Sequence, residues 1–153
     1  RSWWLWLGLP LFLLLRMILN AMDGMLAHKT GQKTHLGMLL NEIGDQISDV
    51  ALYLPFALLA GIFAPLLVIV LILGLLVEFV GVLGAVIAAP RSFDGPMGKS
   101  DRAFAFGFIA LLSVLDVAPH WLNAMLLLIL ALSVWTVVNR LRQALRFSAP
   151  PIQ

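Results

Sequence analysis

Residues 20–45 read Asn20-Ala21-Met22-Asp23-Gly24-Met25-Leu26-Ala27-His28, then eight residues, then Gly37-Met38-Leu39-Leu40-Asn41-Glu42-Ile43-Gly44-Asp45. The stretch joins two strongly apolar segments and sets the carboxylates of Asp23 and Asp45, the carboxamides of Asn20 and Asn41 and the small residues Gly24, Ala27 and Gly37 at helical spacing. An ionisable side chain inside a membrane costs about 2.5–3.5 kcal/mol even on lenient insertion scales, so such residues ordinarily serve a site.

The membrane setting follows from composition. The chain is 61% hydrophobic and 12% charged, with a mean hydropathy of +0.99, far from a water-soluble domain. It is therefore expected to be an all-α integral membrane protein. Its 153 residues hold five or six spans, at about 20 residues each, and no separate soluble domain. One membrane domain over 1–153 is expected, with a short polar cytoplasmic tail at 146–153. No cysteine is present, which excludes disulfides and thiolate metal sites.

Five apolar stretches stand out, near 3–27, 36–61, 65–89, 103–117 and 121–139. The first begins Arg1-Ser2-Trp3-Trp4-Leu5-Trp6 with no small-residue cleavage site, so it is expected to be a retained span; the lack of an initiator Met points to a truncated start. Lys29, Lys33, Arg91, Lys99, Arg102, Arg140, Arg142 and Arg146, eight of the ten basic residues, fall on one side of the alternating topology. By the positive-inside rule that side is cytoplasmic. The C-terminus then lies inside and the N-terminus outside, and Trp3, Trp4, Trp6 and Trp121 form an outer interfacial belt.

Arg16, Asn20, Asp23 and Ala27 share one helix face, as do Asn41, Asp45 and Asp49 with Ser48 beside them. Two antiparallel helices joined by a short loop pack together, which brings these faces to the cytoplasmic end. A site rich in oxygen donors suits a hard divalent cation, held by one or two carboxylates plus phosphate oxygens and water. Gly24 and Gly37 permit close helix approach or contact of a bulky ligand with backbone. The plainer alternative is a structural polar network, with Asp23 paired to Arg16 or Lys33 and Asp45 to a basic loop residue.

These residues carry a resemblance. The stretch is similar to the signature of the CDP-alcohol phosphotransferases: Asp, two residues, Asp-Gly, two residues, Ala-Arg, eight or nine residues, Gly, three residues, Asp, three residues, Asp. Asn20, Asp23, Gly24, Ala27, His28, Gly37, Asn41 and Asp45 occupy its eight positions with every interval kept, and five residue types match. Glu78 and the loop Gly98-Lys99-Ser100-Asp101-Arg102 extend the likeness over most of the chain.

The resemblance implies transfer of a substituted phosphate from a CDP-linked donor such as CDP-diacylglycerol to an alcohol, with release of CMP, as in phospholipid synthesis. It implies Mg²⁺ or Mn²⁺ held by Asn20, Asp23, Asn41 and Asp45, with Asp45 as base or ligand and Asp23 as a second catalytic residue. It also implies contacts of Gly24, Ala27, His28 and Gly37 with the nucleotide, and of Lys99 and Arg102 with diphosphate or an anionic acceptor. The fold implied is a six-helix bundle, of which this chain shows helices two to six. The expected setting is a bacterial inner membrane with the site facing the cytoplasm, a CDP-linked lipid and an alcohol as partners, no nucleic acid, and a second copy of the chain as a candidate partner.

Asn20 and Asn41 stand where the family has carboxylates, and His28 where it has Arg. Two of four negative charges are thereby removed, and His28, mostly neutral near pH 7, grips a diphosphate less firmly than Arg. A non-catalytic member of the fold that binds lipid or nucleotide is the alternative. A small transporter using Arg16, Asp23, Asp45 and Glu78 as an ion path is a more distant one.

Overall fold

The computed structural model describes residues 34–87 and 90–148, together with Gly8, Leu9, 11–13, Leu15, Arg16, Ile18 and Met22, all helical, of the N-terminal segment. Among the described residues four α-helices follow that segment: α1 His35–Tyr53, α2 Ala64–Leu83, α3 Lys99–Val114 and α4 Pro119–Ser148. Short 3₁₀ turns, Leu54–Leu58 and Gly84–Ile87, extend α1 and α2. No strand occurs among the described residues.

Local chemistry sets the boundaries. Thr34 Oγ1 accepts from Gly37 N at 3.0 Å and caps α1, satisfying one of the donors that a helix start leaves unpaired. Pro55 lacks an N–H to continue that helix, and the chain tightens into a 3₁₀ turn. The next turn passes through Gly61 at φ +84°, a backbone that favours glycine. Asn123 of α4 anchors it, accepting from Phe63 N at 2.9 Å and donating to the Gly61 carbonyl at 2.7 Å. Asp101 accepts from Gly98 N at 2.9 Å, so α3 starts at Lys99, inside the segment that hydropathy alone assigns to a loop.

The core forms where α2 and α4 pack most extensively, with α3 and the end of α1 closing over them. Tyr53 stacks on Phe106 with ring centroids 4.2 Å apart, and Phe56 meets the same ring edge-on at 5.2 Å. Leu67, Val70, Leu126 and Ile129 complete this buried layer. On the outside, Leu39, Ile43, Ile72, Phe79, Phe104 and Leu128 are exposed, an apolar surface of the kind lipid covers.

Among the described residues two helical segments, Ala64–Ile87 and Pro119–Phe147, are long and apolar enough to cross a membrane. Of the other expected spans, 3–27 lies largely outside the described residues, and 36–61 and 103–117 do not meet that standard. Helix α3 has 16 residues, about 24 Å at 1.5 Å per residue, and α1 carries a charged face. The last helix outruns the apolar stretch at 121–139 and continues to Ser148, three residues into the expected polar tail.

Candidate active site

One face of α1 presents Asn41, Asp45, Ser48 and Asp49, where cations from the N-terminal segment and from α3 meet it, while further cations gather on Glu42 and Glu78 nearby. Arg16 of the N-terminal segment donates to Asp49 and Ser48 and lies 3.8 Å from Asp45. Lys99, the first residue of α3, pairs with Asp45. Arg102, one turn further on, reaches Asp49 and Glu78 at 3.2 Å each. Arg140 of α4 reaches Glu78 at 3.4 Å, and Arg91 lies 3.8 Å from Glu78 and 2.6 Å from Glu42.

Asp49, Glu78, Arg102 and Arg140 are each 5% exposed or less, so none relies on water for its solvation. A charge taken out of water is tolerated only when partners occupy its remaining hydrogen-bonding capacity. Arg140 shows how this is met: besides Glu78 it donates to the carbonyls of Val77 at 2.6 Å and Asp94 at 3.2 Å. Glycines make the space. A Cβ at Gly74 would lie 3.2 Å from the Arg102 side chain, and one at Gly81 would lie 2.7 Å from Arg140 Nη1.

The 91–98 loop is held in place by α2 and α4. Ser92 N donates to the Gly81 carbonyl at 3.1 Å, Ser92 Oγ bonds Gln143, and Met97 N donates to Thr136 Oγ1 at 3.0 Å. With α1 and the start of α3, this loop encloses a cavity of about 430 Å³ lined by Asn41, Glu42, Asp45, Glu78, Arg91, Lys99, Ser100 and Arg140, among others. Beside it runs an apolar groove of about 540 Å³ lined by Ile72, Leu75, Leu76, Phe79 and Val82. Glu42 and Glu78 border both spaces. A charged chamber thus opens beside an apolar trough.

The family model for CDP-alcohol phosphatidyltransferase matches residues 1–138. The chain belongs to the CDP-alcohol phosphatidyltransferase family. It is 46% identical over 148 residues to Inner membrane protein YnbA of Escherichia coli (strain K12), covering 95% of this chain and 73% of that protein. It is 31% identical over 134 residues to Archaetidylinositol phosphate synthase of Aeropyrum pernix, covering 86% of this chain and 66% of that protein. No solved structure matches it significantly. Membership of a CDP-alcohol phosphatidyltransferase family supports phosphatidyl transfer in phospholipid synthesis, and the two apolar helices fit a membrane protein.

The family signature falls unevenly on the described residues. Asn20, Asp23, Gly24, Ala27 and His28 lie outside them. Asn41 and Asp45 line the charged cavity, with Asn41 Nδ2 donating to Asp45 Oδ2 at 3.4 Å. Gly37 is an exposed first-turn residue whose N–H is taken by Thr34. Lys99 enters the cavity, whereas Arg102 lies behind it, its guanidinium occupied by Asp49 and Glu78. Arg102 thus joins α3 to α1 and α2 behind the cavity.

Asn41 and Asp45 carry hard oxygen donors one turn apart, which fit one edge of a Mg²⁺ or Mn²⁺ site. Among the described residues no group of three or more His, Asp or Glu side chains is placed to hold a metal ion. Sequence reasoning missed Arg91 and Arg140 as site residues, reading both only as topological charge. The available signal was the seven-residue interval between Gly74 and Gly81 on one face of an otherwise bulky apolar helix.

Proposed function

We propose that the protein transfers the phosphatidyl-type group of a CDP-linked lipid to an alcohol, releasing CMP, at the cytoplasmic face of a five-span membrane domain. The adjacency of the charged cavity and the apolar groove, which share Glu42 and Glu78, carries this reading. A molecule with a diphosphate at one end and acyl chains at the other matches both. Arg91, Lys99 and Arg140 supply cations on the cavity side, and guanidinium and ammonium groups are the natural partners of phosphate oxygens.

In the reaction, the acceptor hydroxyl oxygen forms a bond to the phosphorus that carries the lipid, and the bond from that phosphorus to the CMP oxygen breaks. The hydroxyl proton passes to the Asp45 carboxylate, and CMP leaves with the bonding pair. Positioning a base against the acceptor contributes typically 10²–10⁴-fold in such steps. Lys99 and Arg91 face the charge that develops on the departing phosphate. Asn41 and Asp45, with Asn20 and Asp23 by motif position, would hold the divalent cation of the family, which when bound supplies neutralising charge for the diphosphate.

The second reading, a lipid- or nucleotide-binding member without turnover, is favoured by one observation: Lys99 occupies the Asp45 carboxylate. The transporter reading is weakened because Glu78 joins the α1 cluster through Arg102 instead of forming a separate line across the membrane. Release of CMP from CDP-diacylglycerol on addition of an alcohol separates turnover from binding. Release by the natural sequence and its loss in Asp45→Asn supports transfer, whereas substrate binding without release supports the second reading.

A further inference from the structure

Helix α4 has 30 residues and is about 45 Å long, against a hydrocarbon thickness of about 30 Å. With its Pro119 end at one interface, its last ten or so residues emerge into the opposite headgroup layer. These residues are two-faced. Asn139, Arg142, Gln143 and Arg146 recur at three- and four-residue spacing on one side, while the exposed Val134, Val138, Leu141 and Leu145 share the other.

The polar side borders an open cavity of about 730 Å³, lined by Asn139, Arg142, Gln143, Arg146 and Phe147 and, across from them, by the loop at Asp94. It is distinct from the charged cavity described above, which takes Arg140 from the same helix and Arg91 from the same loop. The two differ in how their cations are used. Arg16, Arg91, Lys99, Arg102 and Arg140 each meet a carboxylate. Arg142 and Arg146 form no ion pair among the described residues, and both are exposed. Counting Asp94, the wall carries a surplus of positive charge.

We propose that Arg142 and Arg146 bind a phosphate anion in this cavity, that of an anionic phospholipid headgroup or a free phosphate. Two guanidinium groups one turn apart present forked donors to phosphate oxygens, with the carboxamides of Asn139 and Gln143 beside them. Basic pockets at this depth hold lipid headgroups, and the apolar stripe through Leu141 and Leu145 gives the acyl chains a surface to lie on.

The test uses the full chain in neutral detergent, titrated with phosphatidylglycerol, phosphatidylcholine or inorganic phosphate and followed by native mass spectrometry. The natural sequence should retain phosphatidylglycerol roughly tenfold or more in preference to phosphatidylcholine, from two basic residues at the surface. Arg142→Gln with Arg146→Gln should abolish the preference, and the paired Lys variants should keep part of it. Displacement of the lipid by millimolar inorganic phosphate would identify free phosphate as the ligand source; resistance to it would identify the headgroup. An unchanged melting temperature without lipid shows that the Gln variant is folded. Full preference in that folded variant, or retention of neither anion by the natural sequence, overturns the proposal.

Discussion

Arg102 of α3 donates to Glu78 of α2 at 3.2 Å from inside the protein, its side chain lying in the space that Gly74 leaves on the same helix as its acceptor. The same guanidinium reaches Asp49 of α1, so one buried cation ties three helices at the level of the candidate site. Removing one member of such a pair leaves an uncompensated charge, which is costlier than the pair's net contribution. Arg102→Met is therefore expected to destabilise the protein by about 3–5 kcal/mol. Glu78→Gln with Arg102→Met should cost less than the sum of the two single changes, as a double-mutant cycle by denaturant unfolding in micelles will show.

Gly81 makes a second test of how the buried arginines are seated. An added methyl would approach Arg140 Nη1 at 2.7 Å and the Ser92 carbonyl at 2.8 Å. Gly81→Ala should lower stability by about 1–3 kcal/mol through overpacking. Gly44→Ala, where nothing lies within 4 Å, should instead raise it by up to about 1 kcal/mol through helix propensity. Thermal melts of the two variants should move in opposite directions.

Lys99 pairs with Asp45 and lines the charged cavity, so its removal should act on phosphate binding more than on folding. Lys99→Met is expected to raise the KM for the CDP-linked lipid by roughly tenfold or more, the loss of one charge-assisted bond, with little change in melting temperature. Steady-state CMP release over a range of donor concentrations measures it.

Asn123 bridges the turn before α2 to the start of α4 through Phe63 N and the Gly61 carbonyl. Its Nδ2 also donates to the Pro119 carbonyl at 3.0 Å, and Asn123→Ala, which removes all three hydrogen bonds at this exposed turn, should cost about 1.5–4 kcal/mol. Activity per folded molecule should be unchanged, because the turn lies far along α2 from Glu78. Parallel melting and activity assays separate the two effects.

Much of the helical fold is legible in the sequence. The intervals from Asn20 to Asp45 identified the family, since they record which residues share a helix face, and the comparison over residues 1–138 agrees. Helix α2 and the body of α4 follow from continuous apolar runs. The start of α3 was not legible from hydropathy because a polar cap, Gly98 with Asp101, opens the helix with charged residues. Nor were the roles of Arg91, Arg102 and Arg140: hydropathy sets a helix's depth but not its rotation. That rotation depends on where Gly74 and Gly81 admit bulky side chains from α3 and α4.

In the proposed reaction Asp45, beside a cationic cavity, takes the proton of an acceptor alcohol as CMP departs. The most direct measurement is CMP released from CDP-diacylglycerol in the presence of a panel of alcohols, comparing the natural sequence with Asp45→Asn at equal folded concentration. Alcohol-dependent release is expected to fall by at least about 10²-fold in the variant, the lower range for loss of a positioned base. Equal release by both proteins would contradict that role of Asp45.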